Sequence, residues 1–267
     1  MCNSKHPPIL RNKEYKRPSI FTPENLLREA RRQKNISDPK VPRICLLDPD
    51  GDIVQHLRAE KMASVNPYWA CYHTKMYIFQ YGEIEYGIIG YAVGSSFSVL
   101  VAEELFASGC QLLLSMTSAG QIIAKTKPPY FILIEKALRD EGTSYHYLPP
   151  TDFSPIKQDM HDIVAEVLAQ SPLPIYRGAT WTTDAPFRET ASSIEHFRSL
   201  GILAVEMEAA ALYAYSQARD KPVICFAHVT NQMGSIEGDF EKGFDNGSGD
   251  CMQLIHIAAK TWMTRNL

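Results

Sequence analysis

The chain has 267 residues, 45% hydrophobic and 21% charged, enough to bury a sizeable core in one large domain or two small ones. Its formal net charge of −3 excludes a general nucleic-acid binder, which needs a basic surface. That charge is uneven: ten Lys and Arg against four Asp and Glu in residues 1–42 leave +6 there and −9 in the remainder.

Residues 1–19 are polar, basic and Pro-containing, and are expected to be poorly ordered unless docked. They carry no apolar signal-peptide core, and no stretch nears the ~18 apolar residues of a membrane span, so a cytoplasmic protein without membrane contact is expected. Thr22-Pro23-Glu24 reads as a helix start, an N-cap followed by Pro at the first helical position. Leu26, Leu27 and Ala30 form its apolar stripe, and Arg28, Arg31, Arg32 and Lys34 face out. A surface helix packed on the main domain or on a neighbouring subunit is the expectation, with RNA or membrane contact the alternative. Residues 1–42 are therefore read as a basic extension with one helix, and 43–267 as the main domain.

From Arg43 the pattern changes. Short apolar runs at 44–47, 86–91, 112–117, 130–135, 175–180, 202–206 and 223–229 read as strands buried on both faces. Helical patterns at 96–107, 156–169, 192–200, 207–219 and 250–263 fall between or after them. The alternation predicts an α/β fold, a three-layer α/β/α sandwich on a mixed or parallel central sheet. The six cysteines lack a CxxC pair and sit mostly in apolar runs, as reduced thiols do. The eight histidines are dispersed, so no metal site and no cofactor is expected.

In such sheets ligands bind beyond the carboxyl ends of strands. Three ends stand out. After 86–91 comes Ala92-Val93-Gly94-Ser95-Ser96 and then an apolar helix, a turn that either meets an anion at the positive helix end or simply caps the helix. After 112–117, where Thr117 ends the strand, Ser118-Ala119-Gly120 reads as a small-residue turn with room for a ligand against the backbone. After 202–205, Glu206-Met207-Glu208 enters a helix. Two carboxylates there need partners, either the vicinal hydroxyls of a sugar or the helix N-terminus itself.

Ala204-Val205-Glu206-Met207-Glu208-Ala209-Ala210 resembles the signature of the nucleoside phosphorylase family, which includes uridine phosphorylase, hexameric purine nucleoside phosphorylase and the methylthioadenosine nucleosidases. The segment 139–147, from Arg139 to Tyr147, is similar to the same family, most of all to its uridine-phosphorylase-like branch. Thr182-Thr183-Asp184-Ala185-Pro186-Phe187-Arg188-Glu189 sits where the family places a base-flanking aromatic loop. The likeness covers about residues 43–265.

The resemblance implies N-glycosidic cleavage of a ribonucleoside, with inorganic phosphate as co-substrate if the enzyme is a phosphorylase. It implies that Glu208 binds the ribose 2′ and 3′ hydroxyls as an ionised acceptor and that Met207 packs on ribose and base, with Glu206 beside them as a binding or buried structural residue. Phe187 flanks the base and Arg188 is a donor to a base carbonyl. Thr117, Ser118, Gly120 and Thr230 complete the ribose and base site. Asn231 stands where purine-specific relatives carry an Asp, which favours a pyrimidine or 6-oxo base because an amide cannot donate a full proton.

For phosphate or water, Gly94, Ser95, Ser118, Asp50 and His73 are the candidates. Ser115 occupies the place of a phosphate-binding Arg, and Asp48-Pro49-Asp50-Gly51-Asp52 is acidic where phosphate wants cations. Arg58, His73 or Lys75 are the residues available to compensate, the last two from a neighbouring subunit. Phosphorolysis is expected ahead of hydrolysis, in which Asp48 or Asp50 would activate water. An inactive nucleoside-binding protein is the third reading. The resemblance also implies a homodimer or homohexamer, and a mobile flap at 237–243 that is otherwise read as a solvated loop.

Overall fold

The computed structural model describes residues 7–37, 40–233 and 237–266, so Cys2 lies outside the described residues. In chain order, α1 (Pro23–Lys34) precedes β1 (Ile44–Asp48), α2 (Asp52–Ala59), β2 (Ala63–Val65), β3 (Tyr77–Tyr81), β4 (Ile84–Gly90) and α3 (Ser95–Ala107). Then come β5 (Leu112–Gln121), β6 (Tyr130–Asp140), β7 (Phe153–Pro155), α4 (His161–Gln170), β8 (Ile175–Thr183), α5 (Ala191–Ser199), β9 (Ala204–Glu206), α6 (Ala209–Arg219), β10 (Val223–Asn231) and α7 (Ser248–Asn266).

The strands form one mixed sheet in the order β10-β6-β8-β9-β5-β1-β4-β3-β2, with β7 on the edge of β6. β10 also pairs with β5, so five of the strands close on themselves. β5 is parallel to β1 and β10, and antiparallel to β9. Helices cover both faces of this mixed α/β fold. α3 packs with α6 and α1, and α7 packs with α2 and α4. The core is the near-continuous Ile, Leu and Val of β1, β5, β6 and β10, the composition expected of strands covered on both faces.

The expected helix at 22–34 forms as read: Thr22 Oγ1 accepts from the Asn25 N–H, and Asn35 ends the helix in the left-handed region at φ 55°. Leu27 and Ala30 are buried against Ala70, so the extension is docked. Three expectations are corrected. Ser118-Ala119-Gly120 is not a turn; β5 runs on to Gln121 because β10 and β9 hydrogen-bond to its edges there. A Cβ on Gly120 would lie 2.5 Å from Met233 Sδ, so the small residue admits a neighbour, not a bend. The acidic loop does not extend past Gly51: that residue, at φ 81°, opens α2, which buries Ile53, Val54 and Leu57. The last helix pair also shifts, since α6 begins at Ala209 and leaves both Glu206 and Glu208 ahead of it.

Candidate active site

The carboxyl ends of β1, β4, β5, β9 and β10 deliver the site. Asp48 pairs with Gly90 across β1 and β4, and Ala227 and His228 pair with Thr117 and Ser118 across β10 and β5. Side chains from the acidic loop, the Gly94 turn and the Glu-Met-Glu segment therefore meet at one edge of the sheet.

The two carboxylates separate in role. Glu206 accepts from the N–H groups of Glu208 and Ala209, both at 2.7 Å, and from the hydroxyls of Thr180 (3.1 Å) and Thr182. Thr182 Oγ1 in turn accepts from the Ala210 N–H at 2.9 Å. These contacts satisfy the first orphan donors of α6. Glu206 is thus the structural partner and not a sugar ligand, correcting its place among the binding residues. Burial pushes its pKa up, and its four donors pull it down. Replacing Glu206 with Ala would strand those donors. The expected cost is about 3 kcal/mol, read as a lower urea midpoint at unchanged m-value.

Glu208 is relieved of capping, yet it is only 1% exposed. Its Oε1 accepts from the Gly94 N–H at 2.6 Å, and its Oε2 accepts from the Thr117 hydroxyl at 2.7 Å and from the Met207 N–H at 3.3 Å. Burial, then the charge of Glu206, raises its pKa to about 8 against the opposing pull of Gly94 and Thr117. The carboxylate that the resemblance turns towards a sugar is covered by protein in this structure. The Gly94 turn closes over it, and among the described residues no cation forms an ion pair with it.

Beside Thr117 lies a cavity of about 10 Å³ lined by Asp48, Asp50, Asp52, Ser118 and His228. That is room for one water. Ser118 donates its hydroxyl to Asp50. Lys242 donates to Asp52 and stands 3.7 Å from Asp50. Burial lifts Asp48 to a pKa of about 7, with the charges of Asp50 and Asp52 adding to the rise. His228 stacks on Phe131 with centroids 4.7 Å apart, and burial lowers its pKa to about 4, so the imidazole is neutral. Of the three carboxylates, Asp48 is committed to the Val54 N–H at 2.8 Å and Asp52 to Lys242, while Asp50 is only partly buried.

The remaining candidates divide. Gly94 and Thr117 meet at Glu208, and Ser118 and Asp50 meet each other in the cavity that Thr117 also lines. Ser95 is fully buried and donates its hydroxyl to the Met207 carbonyl at 2.8 Å, tying α3 to the Glu-Met-Glu segment. Ser115 is buried at 1% between β1 and β10. Asn231 lies against Gly120 and spends its amide oxygen on the Met233 N–H (2.9 Å), with Nδ2 donating to Thr230 Oγ1 (3.2 Å). Met207 is half-buried next to Glu208. Phe187 is 99% exposed and Arg188 is exposed beside it, so the loop does not pack in the core. His73 lies apart, in a second cavity.

The 237–243 segment is not a free solvated loop. The Glu241 N–H donates to Thr230 O at 2.7 Å, Asp239 is buried, and Lys242 pairs with Asp52 of the acidic cavity. Lys242, His228 and Asp52 were not singled out in the sequence. For His228 the missed signal is its register opposite Ser118 in a run that otherwise reads as plain core.

The sequence profile of the phosphorylase superfamily matches residues 43–257. The chain belongs to that superfamily. Within it, 164 residues are 27% identical to a DeoD-type purine nucleoside phosphorylase of Brevibacillus brevis, spanning 61% of this chain and 68% of that one. Another 25% identity over 180 residues links it to the uncharacterized protein R802 of Acanthamoeba polyphaga mimivirus, covering 66% of each chain. The fold of this superfamily member is shared with uridine phosphorylase from Vibrio fischeri ES114, at TM-score 0.67 and 19% identity over 85% of this chain and 94% of that one. It is also shared with AMP nucleosidase from Bacteroides thetaiotaomicron, at TM-score 0.70 and 16% identity over 91% of this chain and the whole of the other. No helix among the described residues is long and apolar enough to cross a membrane.

Proposed function

We propose that this superfamily member hydrolyses the N-glycosidic bond of a ribonucleoside, releasing free base and ribose. The observation that carries the reading is the water-sized, carboxylate-lined cavity beside Thr117, the residue whose hydroxyl already touches Glu208. A phosphate dianion is too large for it and would meet three aspartates with one lysine, itself engaged by Asp52. In the proposed reaction, the Gly94 turn opens and the ribose 2′ and 3′ hydroxyls take the place of its N–H on Glu208. A water in the cavity forms the new C1′–O bond and passes its proton to Asp50. The C1′–N bond breaks with its electron pair leaving on the base, which hydrogen bonds from the Asn231 and Arg188 side chains stabilise. Phe187 and Met207 flank base and sugar.

Phosphorolysis, put first by the sequence, is the second reading. The positive N-terminal end of the 13-residue helix α3, behind Gly94, favours it. Assembly as a homodimer or homohexamer belongs to the same proposal, which the wholly exposed Phe187 supports as a residue awaiting a cover.

A nucleoside panel incubated with and without inorganic phosphate tests the choice. Hydrolysis predicts base and free ribose in both buffers. Ribose 1-phosphate formed only with phosphate would replace it by phosphorolysis, and binding without any base release would reduce the protein to a nucleoside binder.

A further inference from the structure

A second cavity, of about 240 Å³, is walled in part by Gly90, Tyr91 and Phe97 around the β4–α3 turn, and its chemistry is the reverse of the first. Arg58, His73 and Lys75 line it together with Tyr77 and Tyr91, over a floor that includes buried Val54. No acidic side chain lines it, and among the described residues neither Arg58 nor Lys75 has a carboxylate within ion-pair reach. Unneutralised cations grouped in a concave site raise the local concentration of anions.

The group is held in place. The Arg58 guanidinium stacks on the Tyr77 ring at 5.2 Å, which leaves its edge free for a planar fork of hydrogen bonds. The loop that carries His73 and Lys75 is latched by α1: Lys34 Nζ donates to the carbonyls of Ala70 (2.8 Å) and Cys71 (2.6 Å). The His73 N–H donates to Cys71 Sγ at 3.4 Å. Tyr91, at φ 67° in the left-handed region, lines this cavity and lays its ring against Gly51 of the acidic loop, where a Cβ would lie 2.2 Å from it. A non-glycine residue in that conformation is strained, and such strain gathers at ligand clamps.

We propose that this cavity binds a phosphate dianion, with Arg58 supplying the fork and Lys75 and His73 the remaining donors. The dianion is either free phosphate or the 5′-phosphate of a nucleoside monophosphate. The segment from Gly90, in the cavity wall, to Gly94, on Glu208, links the two places, so a ligand with a ribose and a phosphate would meet a receptor for each at its two ends. The ester form rests on the ribose reading above; the free-phosphate form does not.

Calorimetric titration of the full-length protein with inorganic phosphate, a ribonucleoside and the same ribonucleoside's 5′-monophosphate tests the site, alongside an Arg58→Gln/Lys75→Gln double variant. Both substituted residues are exposed, so the core is untouched. The phosphate-bearing probes should bind and weaken about tenfold per charge removed, while ribonucleoside affinity is unchanged. A monophosphate binding tighter than inorganic phosphate assigns the site to the substrate ester, and equal binding assigns it to free phosphate. Phosphate binding in a protein that does not bind ribonucleoside would uphold the cavity and remove the ribose reading. If no phosphate-bearing probe binds, or the double variant binds them undiminished, the cavity is not an anion site.

Discussion

Glu208→Gln is expected to lose about a thousandfold in turnover of any ribonucleoside the protein cleaves, while the fold survives. The amide matches the carboxylate in shape: one oxygen still accepts from the Gly94 N–H, and the NH₂ can donate to the Thr117 hydroxyl that now donates to Glu208. What it cannot do is accept from two vicinal hydroxyls and oppose the positive charge that develops on the ribose ring as the base leaves. The pH dependence separates this loss from a folding defect. Glu208 is raised in the folded state from 4.5 to about 8, so between those values the native state holds a proton that the unfolded chain has released. Its contribution to stability is therefore whole below pH 4.5 and is lost as pH climbs towards 8. The Gln variant lacks this loss and should be more stable than the parent at pH 8 by on the order of 3 kcal/mol. Activity runs the other way, because gripping the diol needs the ionised form, and kcat/KM of the parent should climb as pH rises through about 8. Urea melts at pH 5 and 8, with a kcat/KM profile, check both slopes. Full activity in the Gln variant would remove Glu208 from the chemistry.

Asp50→Asn carries the second large effect. Asp50 is the aspartate of the water-sized cavity with capacity to spare: it accepts from Ser118, whereas Asp48 is bound to the Val54 N–H and Asp52 to Lys242. An asparagine keeps the Ser118 contact but cannot take a proton from water, so base release in phosphate-free buffer should fall by about 10²–10³ with little change in KM. Removing one of three carboxylates also lightens the negative charge around Ser118. Any phosphate stimulation should then grow relative to the parent. Undiminished hydrolysis in this variant would mean that Asp50 is not the base.

Much of this arrangement was legible before the fold. The strands of β1, β5, β8 and β10 announce themselves as branched apolar runs, and the Thr22-Pro23 start of α1 fixes itself by local chemistry. The Glu-Met-Glu segment was locatable, yet charge could not say which carboxylate caps the helix. That depends on Thr180 and Thr182, more than twenty residues away, whose hydroxyls reach Glu206 and not Glu208. Ser118-Ala119-Gly120 misled because small residues mark both turns and close packing, and only pairing with β9 and β10 distinguishes them. The closure of Gly94 over Glu208 is invisible for the same reason: it joins positions 114 residues apart through a backbone N–H, which every non-proline residue owns. Lys242 was hidden by its place in a segment that reads as a solvated loop, and its attraction to Asp52 exists only in three dimensions.

The most direct measurement is a crystal structure with a non-cleavable ribonucleoside analogue bound. The account predicts the 2′ and 3′ hydroxyls at about 2.7 Å from the Glu208 carboxylate, with the Gly94 N–H drawn off it. An analogue seated elsewhere while Gly94 still donates to Glu208 would contradict it.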